Sequence, residues 1–165
     1  MIDSEVLEHV AADQYEASLS EIARVAGKTI IVTVPNRENL TQETTRCPSC
    51  GHKFNASYHV RTHEPRALSD PFPRFSLERS EEFGHPYRTA GRFESLVRWG
   101  LLRRWLTFRS GFTCPSCGYH QTGAKVGGKN VPAQKKKSRI KNILSRLLGR
   151  RRPRWILAVY ARDFD

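Results

Sequence analysis

The 165-residue sequence has no apolar run near the ~20 residues a membrane-spanning helix needs, so no spanning helix is expected. Its opening, Met1-Ile2-Asp3-Ser4-Glu5, lacks the basic start and apolar stretch of a signal peptide. A soluble cytoplasmic chain is the expectation. Acidic residues are scarce where basic ones are dense: residues 111–165 carry 2 against 13. No internal repeat is visible beyond two cysteine pairs, and no set of Asp, His and Asn suits a nuclease.

What is present can build a core. Hydrophobic residues make up 38% of the chain, which excludes disorder by composition, and the length fits one ordinary domain at most. The charge is graded along the chain. Residues 1–45 carry 3 basic and 8 acidic side chains, and residues 46–110 carry 12 and 6, within a total of +12. Such a gradient predicts two parts with different jobs, the basic one facing nucleic acid or an anionic membrane surface.

The four cysteines stand as Cys47-Pro48-Ser49-Cys50 and Cys114-Pro115-Ser116-Cys117, each pair followed by Gly. Two residues between thiols let both sulfurs face one ion, and four thiolates complete a tetrahedral zinc site. The alternatives are a disulfide, disfavoured in a cytosolic chain, or free thiols. Four protein ligands leave no open position, so such a zinc is structural and joins two distant segments.

Periodicity predicts a helix capped by Asp13 with Glu16, carrying Tyr15, Leu19, Ile22 and Ala26 on one face and stopped by Gly27. Thr29 to Val34, apolar on both faces, reads as an interior strand of a parallel sheet. Thr44 to Cys47 and Lys53 to Tyr58 form the arms of the first knuckle, Glu64 to Leu68 a helical turn, and Phe75 to Arg79 a strand. Residues 91–106 read as a helix, 123–134 as a loop, and Trp155 to Tyr160 as a last strand. From Lys135 to Arg154 there are ten basic residues and no acidic one, with Ile140, Ile143, Leu144, Leu147 and Leu148 on one helical face. That tract suits an anionic surface, either lipid headgroups at a membrane periphery or nucleic acid, or a helix with a solvated Lys/Arg face.

Ser4-Glu5-Val6-Leu7-Glu8-His9-Val10, the helix after it, and Ile31-Val32-Thr33-Val34-Pro35-Asn36 form an ordered set. The set resembles the C-terminal half of class I S-adenosylmethionine-dependent methyltransferases. There the first segment follows the fourth strand and Val-Pro-Asn ends the fifth. His59-Val60-Arg61-Thr62-His63-Glu64 and the stretch through Phe75 resemble the link to the sixth strand, and Trp155 to Arg162 resembles the last, antiparallel one. The resemblance implies an α/β fold: a partial Rossmann-like methyltransferase sheet, strands 4–7, over residues 1–82 and 154–165. A zinc-ribbon-like basic insertion would occupy 83–153, with knuckles at 47–50 and 114–117.

The resemblance also implies S-adenosylmethionine as cofactor, with Ser4 and Glu5 at its methionine end, and methyl transfer to oxygen. The family's Gly-rich cofactor loop is not found upstream of this segment, so a truncated or split form is expected, with an N-terminal methyltransferase half as a partner. Glu5, Glu8, His9 and His59 resemble the Glu-x-x-Glu-His set and later His that hold a divalent ion in small-RNA 3′-end 2′-O-methyltransferases. The plainer reading has Glu5 lining the cofactor cleft while Glu8 and His9 cap and orient the loop. The rival function is a non-catalytic zinc-ribbon nucleic-acid-binding protein, which leaves the acidic first 45 residues without a purpose.

Overall fold

The computed structural model describes residues 1–89, 94, 111–122 and 150–163. The helices expected over 91–106 and from Lys135, and the loop 123–134, lie outside them apart from Glu94. The described elements run β1 (Ile2–Ser4), α1 (Tyr15–Val25), β2 (Thr29–Pro35), β3 (Thr44–Arg46), β4 (Lys53–Asn55), β5 (Phe75–Phe83), β6 (Tyr87–Thr89), β7 (Phe112–Thr113), β8 (His120–Gln121), β9 (Arg150–Arg152) and β10 (Trp155–Arg162). Short 3-10 turns sit at Leu7–His9, Leu40–Glu43 and Pro65–Leu68. The fold is mixed α/β and mostly sheet. Among the described residues no helix is long and apolar enough to cross a membrane.

Two compact units divide the chain. The first joins Met1–Leu40, His59–Arg88 and Arg151–Asp165; the second joins Thr41–Tyr58 and Thr89–Arg150. Both cysteine pairs therefore fall in the second unit.

In the first unit a four-stranded sheet has the order β1-β2-β10-β5. β2 is parallel to β1, while β10 is antiparallel to both β2 and β5, so β10 alone runs against the other three. The expected parallel interior strand is thus parallel on one edge only. The alternation of a strand explains which residues face the core. Ile30, Val32 and Val34 of β2 and their cross-strand partners Tyr160, Ala158 and Ile156 are all 0% exposed. Leu19 and Ala23 of α1, with Leu68, Phe72 and Phe75, close over that face. Tyr160 packs edge-on against Phe72 with centroids 4.9 Å apart, and its hydroxyl donates to the Leu68 carbonyl at 2.7 Å. A bulge shifts the β10–β5 register between Val159 and Tyr160, leaving Glu78 without an opposite number.

Two details of the helix differ from expectation. Its N-cap is Gln14, in helical conformation and without a side-chain cap, so Asp13 does not begin it. Its end is set by Ala26, buried and extended, before Gly27; the expected glycine stop is not used, because Gly27 has no positive φ. The strands 75–79 and 155–160 run on to Phe83 and Arg162, since their mutual pairing carries them past the apolar stretches.

In the second unit each cysteine pair occupies the tip of a small hairpin, β3–β4 and β7–β8. The two tips repeat the same bonds. Gly51 N–H donates to Cys47 and Gly118 N–H to Cys114, while Cys47 and Cys114 N–H donate to His52 and Tyr119. Gly51 at φ 76° and Gly118 at φ 70° occupy left-handed conformations that a side chain would strain. Phe54 and Phe112, 5.5 Å apart, join Cys47 and Cys114 in a small core.

The core face predicts a test. Ile30→Ala is expected to cost about 2–5 kcal/mol of unfolding free energy, whereas Ile2→Ala, at a side chain 70% exposed, is expected to cost little. Urea unfolding followed by circular dichroism checks the contrast; equal costs would contradict this burial pattern.

Candidate functional site

The carboxyl ends of β1 and β2 are built from three segments that meet. After Ser4 the chain reverses through Glu5, whose φ of 58° is left-handed, while Glu5 N–H extends the ladder to the Thr33 carbonyl at 3.0 Å. Ser4 Oγ lies 2.7 Å from Thr33 Oγ1. The turn Leu7–His9 follows, with Leu7 anchored in the core and Glu8 fully buried.

The second segment, His59 to His63, is latched onto that turn. Val60 N–H donates to the Glu8 carbonyl at 2.8 Å, and the Arg61 guanidinium donates twice to the Val10 carbonyl, at 2.8 and 3.2 Å. Arg61 also lies over the Tyr15 ring, 3.5 Å from its centroid, which couples the latch to the start of α1. The third segment is the Asn36–Arg37–Glu38 turn after β2. Asn36 is 0% exposed and donates to the Arg154 and Pro153 carbonyls, while the Tyr87 hydroxyl donates to the Asn36 carbonyl. Arg37, at φ 46°, donates its N–H to His63.

This architecture gathers Glu8, His9 and His59, each offering one ligand atom within 4.8 Å of the others. The His9 and His59 rings meet edge to face at 4.8 Å, and Glu38 Oε2 lies 2.5 Å from His59 Nδ1. Both oxygens of Glu8 are buried without a hydrogen-bond partner among the described residues, as are both of Asp3 on the core face of β1. Burial and the neighbouring Glu8 charge raise the Asp3 pKa. Glu5 is pushed up to about 7, first by burial and then by Glu8 and Glu38, against His59 and Arg154. Burial, then Arg61, lowers His63 to about 4. A carboxyl titrating near neutrality beside three converging donor groups can exchange a proton with a substrate and hold a hard cation.

The four cysteines come together as a separate cluster in the second unit, all sulfurs within 4.8 Å, and could hold a metal such as zinc. Cys47 Sγ lies 3.8 Å from Cys117 Sγ, and Cys50 Sγ 3.7 Å from Cys114 Sγ. Four sulfurs at about 2.3 Å from a central zinc stand about 3.8 Å apart, far beyond the ~2.05 Å of a disulfide.

Of the residues singled out in the sequence, the four cysteines form one group and Glu8, His9 and His59 another. Ser4 and Glu5 border the latter at the end of β1. Asn36, Arg61 and His63 enter the sequence reading only as motif residues without a role, and Asp3 and Glu38 have none there; the signal for Asp3 is its place between Ile2 and Ser4, opposite in facing to both. A shallow cavity of about 730 Å³ at the other end of the sheet, lined by Asp70, Phe72, Arg74 and Asp163 among others, holds none of these groups. No family model, curated protein or solved structure matches the chain.

Two predictions follow from the titrating and thiol groups. Glu5 holds its proton more tightly folded than unfolded between its ordinary 4.5 and about 7, so its contribution to stability falls as pH rises through that window. His63 binds its proton more tightly unfolded between 6.5 and about 4, so its contribution falls as pH drops. Relative to wild type, Glu5→Gln should gain stability from pH 4.5 to 7 and then level off, and His63→Gln should lose less stability on acidification to pH 4. Urea unfolding at half-unit pH steps measures both, and pH-independent differences would contradict the assignments. Separately, the purified chain should carry one zinc per molecule by atomic absorption, and Cys114→Ser should abolish it; a metal-free chain, or an unaffected variant, would remove the cysteine site.

Proposed function

We propose that the first unit is the rear part of a class I S-adenosylmethionine-dependent methyltransferase cleft, transferring a methyl group to a hydroxyl oxygen. The observation that carries this reading is the sheet order β1-β2-β10-β5, in which the chain's last strand is the single antiparallel one. The resemblance implies that strand direction. Support also comes from Ser4, Glu5 and Asn36, which stand at the carboxyl ends of neighbouring parallel strands, where open α/β sheets take their ligands. In this reading the cysteine cluster holds a structural zinc with no chemistry of its own.

Bound S-adenosylmethionine would supply an electrophilic methyl group on a sulfonium. Ser4 and Glu5 then address its methionine end. Glu5, whose proton affinity is raised by burial, is also suited to accept the proton that the attacking hydroxyl gives up. The orphaned, fully buried Glu8 carboxylate favours a further element, a divalent cation held by Glu8, His9 and His59. A carboxylate with imidazoles suits magnesium, manganese or iron better than a thiolate site would, and the charge of such an ion would lower the pKa of a hydroxyl bound to it. The Glu8 carboxylate, otherwise uncompensated, gains a counter-charge.

A second reading, the non-catalytic zinc-ribbon nucleic-acid-binding protein, is favoured by charge. Residues 41–58 and 89–150 carry a net +14 and the rest of the chain a net −2. It leaves the β1–α1–β2 unit and its converging carboxylates without a role.

The two readings separate by calorimetry. With an N-terminal half bearing the Gly-rich loop supplied, S-adenosylmethionine should bind saturably, and Glu5→Ala should weaken it roughly 10–100-fold, the loss of a charged hydrogen bond. No binding in that assembly, with salt-sensitive binding of random oligonucleotides by the chain, would select the zinc-ribbon reading.

A further inference from the structure

We propose that the exposed rings beside the cysteine cluster, Tyr58 foremost, form a stacking platform for the bases of a single-stranded nucleic acid. The platform belongs to the second unit and stands whether or not the first unit binds S-adenosylmethionine.

Tyr58 is held more firmly than an exposed side chain needs. Its φ of 60° is left-handed, a conformation that strains residues other than glycine. Its N–H donates to the Asn55 carbonyl at 3.0 Å. Its hydroxyl donates to the Thr113 carbonyl and accepts from the Thr113 N–H, both at 3.0 Å, which ties the end of the first hairpin to the second. Tyr58 nonetheless stays 42% exposed. Because the hydroxyl is engaged in both directions, a ligand arriving at this residue meets the ring. A ring already fixed in place loses little freedom when a ligand covers it.

Tyr58 does not stand alone. Its ring lies within 16° of parallel to Phe54 at 5.9 Å, and His52 within 14° of Phe54 at 6.1 Å. Phe54 is buried, while His52 is exposed. The second hairpin repeats the placement: each Cys-Pro-Ser-Cys-Gly is followed by a ring, His52 in one and Tyr119 in the other, and Tyr119 is 39% exposed.

Charge decides what covers these rings. Residues 41–58 and 89–150, which make up the second unit, carry a net +14 that draws a polyanion. Phosphate neutralisation supplies affinity, and aromatic faces accept any base. In a duplex the base faces cover one another, so a stacking platform selects single strands. A lipid headgroup layer answers the charge but gains nothing from a ring fixed in one plane.

The test uses the full chain, zinc-loaded, with a fluorescein-labelled oligothymidylate and its duplex with oligoadenylate as probes, read by fluorescence anisotropy over a range of salt. Wild type should bind the single strand more tightly than the duplex, with affinity falling as salt rises. Tyr58→Ala should weaken single-strand binding about 5–100-fold, the loss of one stacked base, with an unchanged salt slope because no phosphate contact is lost. Its duplex binding should stay within about twofold of wild type, a selectivity that loss of structure would not produce. Tyr58→Phe, which lacks the bonds to Thr113 but keeps the ring, should retain most of the affinity. Atomic absorption follows the zinc; should Tyr58→Ala lose it, Tyr58→Leu, which keeps apolar bulk beside Phe54, is held to the same criteria. The platform is overturned if a zinc-retaining variant binds the single strand within about twofold of wild type, if both probes weaken alike, or if both variants lose zinc. It is equally overturned if wild type prefers the duplex or binds neither probe, and binding of phosphatidylserine vesicles in that last case would assign the charge to a membrane.

Discussion

The molecule depends on β2 being hydrogen-bonded along both edges, parallel to β1 on one side and antiparallel to β10 on the other. A strand held this way cannot shift its register by one residue without turning Ile30, Val32 and Val34 to the open face of the sheet. Its end point at Pro35 is therefore fixed. So is the place where β1 ends, since Ile2, Asp3 and Ser4 pair with Ile31, Val32 and Thr33. Every group of the candidate site hangs from those two ends: Glu5, Glu8 and His9 follow β1, Asn36 and Glu38 follow β2, and His59 and His63 are bonded onto the turns between.

That platform is expensive to maintain. Glu5 and Arg37 hold left-handed conformations without being glycine, at about 1 kcal/mol or more each. Asp3 and Glu8 bury carboxylates that find no donor among the described residues, and an unpaired buried polar group costs roughly 1–3 kcal/mol or more. A sheet whose only task was to fold would place apolar side chains there. Glu5, Arg37 and the orphaned acceptors of Asp3 and Glu8 lie towards one end of the sheet, although Arg74 holds a left-handed conformation at the start of β5, at the other end.

The sequence told some of this and hid the rest, for reasons of range. Runs of β-branched and apolar residues located β2 and β10, and helical spacing located α1, to within a few residues because those signals are local. Asp13 does not cap the helix because it lies inside a turn that precedes it, in which Gln14 N–H donates to the Ala11 carbonyl and Gln14 already enters in helical conformation. The direction of β10 against β2 is a property of pairing across more than 120 residues, which composition does not carry; the resemblance supplied it. Cys47, Cys50, Cys114 and Cys117 were legible as one cluster because a metal imposes matched spacing. Glu38 and Arg61 were not legible. A carboxylate that meets a ring and a guanidinium that ties two turns have no spacing rule, only a meeting place.

The two clusters differ in a way that assigns them different work. Four cysteines fill a tetrahedral coordination shell, so an ion there touches only protein and can do no more than join β3–β4 to β7–β8. Glu8, His9 and His59 offer three donors to an ion that prefers about six, and a cation there would keep open positions for a substrate oxygen. Thiolates are the softer set and would favour zinc, while the carboxylate of Glu8 adds a hard oxygen donor to the other group. His9 is exposed while Glu8 is buried, so the two residues carry their donor atoms from the surface and the interior respectively.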